Sequence, residues 1–310
     1  MEVSTKKIKK NSPRLNFNKK FFKDNGGPIL FIIPAFILYT FFFINPVIKS
    51  VYLSLVKWNG IPNVEKKFIG FDNFIKFFKD PAFYKALFNV SVFIVVSFVI
   101  IMPIAYLLAL LVSSKIRGIR FFKTSYFIPA ILPTAATGLL WTLILYKSGG
   151  ALNAFLEVLG LGSLTQDWLG DPKIAIFTVA LVNAWVFIGY NMLIFVAGLT
   201  NIPEEIVEAA KVDGATGFKA QIYIVLPLMK ESFKIFAVLA VAGSFKVFDI
   251  IYVMTGGGPG GATDVPATML YDQAFRFNNF GYGSSIGIFI LMAALISTVI
   301  LNKILNTKGE

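Results

Sequence analysis

From Pro28 onward, long apolar runs alternate with short polar connections. A helix crossing a hydrocarbon layer about 30 Å thick needs roughly 20 apolar residues. Six stretches meet that length, at about 28–55, 86–113, 124–146, 174–199, 232–253 and 283–302. The second has no charged residue between Ala86 and Ser113, and the fifth contains Lys246 and Asp249. Pro103, Pro129, Pro133 and Gly243 fall inside these stretches. Membrane helices tolerate both residue types, because neighbouring groups satisfy the freed backbone. The pattern predicts an all-α integral membrane protein with six transmembrane helices over 28–310. Residues 1–27 are polar and basic and read as a cytoplasmic tail, either solvated or in contact with anionic lipid.

Orientation follows from Lys and Arg in the connections. The tail carries Lys6, Lys7, Lys9, Lys10, Arg14, Lys19, Lys20 and Lys23, and the short loop after the second span carries Lys115, Arg117, Arg120 and Lys123. Both are expected in the cytoplasm, which puts both termini there and the loops at 147–173 and 254–282 outside. Lysines also crowd the first external loop, about 56–85, beside Glu65, Asp72 and Asp80. Longer loops weigh less in the rule, so the assignment stands. The first apolar run is too long for a signal-peptide core and lacks a small-residue cleavage site, so it is expected to remain as a span.

Composition narrows the chemistry. Of 310 residues, 56% are hydrophobic and 15% charged, against about 25% charged in soluble domains. That leaves too few polar side chains to cover a soluble surface, and too much apolar content for disorder. There is no cysteine and no histidine, which removes disulfides, thiolate chemistry, Cys-ligated zinc and the commonest general base. No catalytic or metal constellation is visible. The net charge of +12 fits cytoplasmic loops in a hydrophobic chain, with no nucleic-acid partner.

The connection at about 200–231 is more than a tether. Asn201 can cap a helix with Glu204 at its third position, Pro203 stands near the start, and Ile202, Ile206, Val207 and Ala210 share a face. Gly214 fits the residue after the helix, where positive φ is needed. A second short helix carrying Phe218 and Ile222 follows, ended or bent by Pro227. Two readings are open: a helix lying among lipid headgroups, or a docking element for a cytoplasmic partner. The acidic start, Glu204, Glu205 and Glu208, disfavours anionic headgroups.

Glu208-Ala209-Ala210, followed at fixed spacing by Gly214, Ile224 and Leu226-Pro227, resembles the EAA motif of ABC importer permeases. The tract FDIIYVMTGGGPGG before the sixth span is similar to the carbohydrate-uptake branch, of the maltose and glycerol-3-phosphate type, and to the first permease of its pair. The resemblance covers most of the chain. It implies a type I importer permease fold in the bacterial inner membrane, with the EAA helices seated in a cleft of an ATPase subunit. It further implies a heterodimer with a second permease, two ATPase subunits and an extracytoplasmic solute-binding protein. ATP and Mg would be held by the ATPase, with no cofactor in this chain.

The residues agree that ATP is hydrolysed elsewhere. The nearest approach to a phosphate loop, Gly256 to Thr263, has Ala262 where the lysine should stand, and it reads as an external turn. Lys246 and Asp249, three apart, can pair on a helix or touch substrate. The absence of a chain of ionisable groups argues against a proton-coupled secondary transporter; a sodium-coupled carrier is the standing alternative. In the implied family the spans flanking the EAA loop line the cavity. Asn183, Phe187, Tyr190 and Asn191 lie on one broad face of the fourth span, and Gly243 and Ser244 near the middle of the fifth. Neutral amides and hydroxyls beside aromatic faces suit a sugar, though the same residue types also pack helices together.

Overall fold

The computed structural model describes residues 30–114 and 118–305, apart from the side chain of Arg120. The basic tail at 1–27, Lys115 and Arg117 lie outside the described residues. Two compact units divide the chain between Lys49 and Ser50.

The described residues are mostly helical, and the strands among them are a two-residue antiparallel pair, β1 (Val56–Lys57) with β2 (Lys67–Phe68). Among the described residues four helices are long and apolar enough to cross a membrane: α1 (Leu30–Ser54), α3 (Pro81–Val112), α7 (Ala175–Thr200) and α13 (Phe280–Leu305). Shorter helices are α2 (Asp72–Lys79) before α3, α6 (Ala151–Val158) before α7 and α12 (Pro266–Tyr271) before α13.

The stretch at 124–146 is not one straight helix. α4 (Ile119–Ile131) and α5 (Thr134–Ile144) meet at 95°. Leu132 is extended, with ψ 142°, because the ring of Pro133 disfavours helical geometry in the residue before it. Pro129 stays inside α4. Together the bent pair would make a fifth crossing.

The stretch at 232–253 also differs from the expectation. α10 (Lys230–Ser244) has 15 residues, about 22 Å at 1.5 Å each, short of the hydrocarbon thickness. Ser244 Oγ donates back to the Ala240 carbonyl at 2.8 Å, a bond that loosens a helix end. A non-helical link follows, and α11 (Asp249–Met254) begins only after Phe248.

Three proline-linked widenings recur. π-turns at Thr40–Ile44, Ser97–Ile101 and Gln221–Val225 each stand just before Pro46, Pro103 or Pro227. Proline brings no N–H and crowds the carbonyl one turn back, and a wide turn opens space there.

α7 lies at the centre of the second unit. Val179, Ala180, Val182 and Val186 pack toward α11 and the first half of α3, and Ala184, Met192 and Phe195 toward the second half of α3 and α10. A Cβ at Gly189 would strike the Tyr126 carbonyl of α4, so only glycine permits that crossing.

The glycine-rich tract runs as turns, as expected, and is half-buried against α3. Asn89 of α3, 1% exposed, donates to the carbonyls of Ala262 (2.9 Å) and Asp264 (2.7 Å). Thr263 Oγ1 joins Thr255 Oγ1 and the Gly258 carbonyl. Burial pushes the Asp264 carboxyl above the usual carboxylate range, against the opposing pull of the hydroxyl donated by Thr268.

Candidate functional site

Between α7 and α10 the chain folds into α8 (Glu204–Val212) and α9 (Phe218–Leu228). Asn201 does not cap α8. Its N–H closes the end of α7 on the Gly198 and Leu199 carbonyls, and Pro203, extended at ψ 133°, holds the N-cap of α8. α7 runs one residue beyond the expected boundary and takes Asn201 into its last turn.

The C-terminus of α8 is as expected. Gly214 has φ +83°, its N–H donates to the Lys211 carbonyl at 3.1 Å, and the Ala215 N–H donates to the Ala210 carbonyl at 2.8 Å. These are the two bonds of a Schellman turn, which satisfies carbonyls the helix end would leave bare.

The motif residues divide by face. Ala210 is buried at 6% exposure, Ile224 and Leu226 are half-buried, and Glu208, Ala209 and Pro227 are exposed. Ile206, one turn before Ala210 on the same face, is 40% exposed. Tyr106 on α3 bonds Gln221 on α9 at 3.1 Å, so the pair rests on the ends of α3 and α7. On the outer side Val212, Phe218 and Tyr223 stand 88%, 79% and 71% exposed.

The second site is a cavity of about 410 Å³. Asn183, Phe187, Tyr190 and Asn191 from α7 and Gly243 and Ser244 from α10 all line it. Their hydrogen bonding separates them. Asn191 donates to the Phe187 carbonyl at 2.9 Å and Ser244 to its own helix, whereas Asn183 has no side-chain hydrogen bond among the described residues. Phe187 and Tyr190 expose ring surface. No atom lies within 4 Å of a Cβ built at Gly243, so that glycine faces open space.

Lys246 and Asp249 line the cavity too, and no ion pair joins them. The expected pairing needs one helical turn between them, and the non-helical link before α11 removes it. Glycine and serine ahead of the charged pair were the available signal for that break.

The geometry matches known proteins. Residues 101–308 match the family described as "Binding-protein-dependent transport system inner membrane component". The chain belongs to this family. The permease is 35% identical over 285 residues to YurN of Bacillus subtilis (strain 168), itself described as a probable ABC transporter permease protein, with 91% of this chain and 97% of YurN covered. It is 32% identical over 294 residues to the arabinooligosaccharides transport system permease protein AraP of the same organism, covering 94% and 92%. Among solved structures, the fold resembles that of a bacterial alginate ABC transporter crystallised with an alginate pentasaccharide-bound periplasmic protein. The TM-score is 0.80 at 22% identity, over 93% of this chain and 96% of that one. The permease therefore has the ABC importer permease fold and is a transport subunit embedded in the membrane.

Proposed function

We propose that this permease subunit conducts a sugar or short oligosaccharide through the cavity between α7 and α10, driven by a separate ATPase that engages α8 and α9. The observation that carries this reading is the cavity itself. Asn183, Phe187, Tyr190, Asn191, Gly243 and Ser244 line one space of about 410 Å³, and the Asn183 amide there has no side-chain hydrogen bond among the described residues. A hydroxyl-rich ligand would supply the missing bonds, and ring faces of Phe187 and Tyr190 would meet its apolar C–H surface. AraP, by its description, transports arabinooligosaccharides, which supports the same substrate class here.

The exposed side chains of Val212, Phe218 and Tyr223 around the Gly214 turn support a protein partner at α8 and α9. That partner is the ATPase subunit, present in two copies, holding ATP and Mg. A second permease completes a heterodimer, and an extracytoplasmic solute-binding protein delivers the ligand. The chain makes six crossings of a bacterial inner membrane, with both termini and α8 in the cytoplasm. The test is uptake of labelled sugars by the reconstituted complex. ATP-dependent uptake of an oligosaccharide that stops without the binding protein is the expected result. Uptake driven by a sodium or proton gradient without the ATPase would replace this reading with a secondary transporter.

A further inference from the structure

Helix α2 divides its surface three ways. At about 100° per residue, Asn73, Phe74 and Phe77 turn toward the protein. Asn73 donates to the carbonyls of Ser54 (2.8 Å) and Val56 (3.1 Å), and Phe77 is fully buried against Phe83 and Phe289. Asp72, Lys76 and Lys79 share a second, charged face and are exposed. The third face is apolar and bare: Phe71 at the N-cap is 70% exposed, and Ile75 and Phe78 are each 50% exposed.

The surroundings limit what can cover that bare stripe. The segment lies between two membrane helices, with 17 residues between it and the end of α1 at Ser54 and one residue between it and the start of α3 at Pro81. Tyr84, also exposed, adjoins the stripe, its hydroxyl donating to the Phe78 carbonyl at 2.7 Å. Residues 55–85 hold six lysines against three acids. None of the six lysines forms an ion pair among the described residues, although Lys66 Nζ lies over the Trp58 ring and Lys76 Nζ over the Tyr282 ring, each at 4.6 Å, contacts that leave both charges without a counter-ion. A helix with an apolar stripe and lysines on its polar face has the character of one lying in a membrane interface.

We propose that α2 is an interfacial helix whose Phe71, Ile75 and Phe78 enter the acyl chains while Lys67, Lys76 and Lys79 bind anionic phospholipid headgroups. Long lysine stems reach from the boundary to the phosphate layer, and negative surface charge attracts them. Assignment to the outer leaflet rests on the orientation proposed above; insertion itself does not. The excess of lysine outside then has a cause of its own: it anchors the first connection to lipid.

The cysteine-free chain allows single cysteines at positions 71 to 79, carrying nitroxides, in the whole importer in vesicles. Oxygen accessibility should peak at 71, 75 and 78, and that of an aqueous nickel chelate at 72, 76 and 79. Nickel maxima at 71, 75 and 78, or protection there from both reagents by a second protein, overturn interfacial placement. Headgroup choice is read by quenching of a bimane at position 75 with spin-labelled phosphatidylglycerol or phosphatidylcholine. Association about five-fold stronger is expected for the anionic lipid. That preference should disappear in K67Q/K76Q/K79Q while phosphatidylcholine quenching stays unchanged. Equal quenching in the unaltered sequence overturns the anionic-lipid assignment. Nickel access at 76 and 79 only from the inside overturns the outer-leaflet assignment and the orientation, and leaves the inserted stripe standing.

Discussion

Asn183 and Asn191 sit two turns apart on α7 and face the same cavity, yet only one is committed. Asn191 spends its amide N–H on the Phe187 carbonyl, a bond internal to its helix. Asn183 has no such bond, so a ligand can use its full donor and acceptor set. Replacing Asn183 by Leu should leave assembly and basal ATPase activity intact and lower sugar uptake about five-fold, the worth of one or two neutral hydrogen bonds. Unchanged uptake and selectivity would remove Asn183 from the path. Lys246 and Asp249 give a second contrast. If they supported one another, a double-mutant cycle of Lys246→Met and Asp249→Asn would return a coupling of 0.5 kcal/mol or more. The open link between α10 and α11 predicts additivity in thermal stability, within about 0.5 kcal/mol. Spacing alone suggested an ion pair because the argument assumed an unbroken helix. The side-chain chemistry was legible and the backbone between was not.

At the scale of elements, local signals succeeded where one residue decides the geometry. Gly214 is such a case: the Schellman turn needs positive φ whatever surrounds it. No atom lies within 4 Å of a Cβ built there, so a substitution suffers only from its backbone. Gly214→Val should cost about 1–2 kcal/mol, and the chain should still insert but lose ATPase association or coupling. Gly214→Asn should be milder, since asparagine tolerates the left-handed region. Normal assembly and sugar-stimulated ATPase activity in the valine variant would count against the turn as part of the docking surface. Local signals failed where neighbouring elements compete. Asn201 could cap the next helix or close the previous one, and the length of α7 decided it. Pro129 and Pro133 look alike in sequence, but only the second breaks a helix. The turns at 255–264 were legible from their glycines, but their anchoring by Asn89, 173 residues away, leaves no local trace. Asp264 there makes a pH prediction. A folded-state pKa raised by burial means the folded loop holds a proton that the unfolded chain releases more readily. Stability from this group is therefore greatest below the ordinary aspartate value and is lost as pH rises through the raised one. Asp264→Asn should abolish that decline and raise heat resistance at neutral pH relative to the parent. An unchanged pH profile of thermal aggregation would show that the carboxyl is already hydrated.

For the whole molecule, the length of α7 constrains the sidedness of the segments that flank it. Its 26 residues span about 39 Å, more than the roughly 30 Å of hydrocarbon. The segments before and after it must then face opposite compartments if α7 crosses. Before it, residues 147–168 are tied into one piece. Asn153 donates to the Lys147 and Gln166 carbonyls at 3.0 and 2.9 Å and accepts from Trp168 at 2.7 Å, while Lys147 pairs with Asp167 at 3.5 Å. After it come α8 and the Gly214 turn. Apolar length, readable from the sequence, predicts opposite sides; only the lysine distribution says which side is which, and much of that charge lies in residues outside the described structure. Exposed Ser148 and Thr216 mark the two ends, and neither requires positive φ, unlike the glycines of the outer loop. In intact cells a membrane-impermeant maleimide should label Ser148→Cys and spare Thr216→Cys, which should react only after permeabilisation. With no native cysteine there is no background. Reversed labelling would put α8 and α9 outside, away from ATP, and would sink the ATPase-docking proposal while leaving the fold and family untouched. Labelling of both from one side would mean that α7 does not cross, and the cavity between α7 and α10 could not then be a path through the membrane.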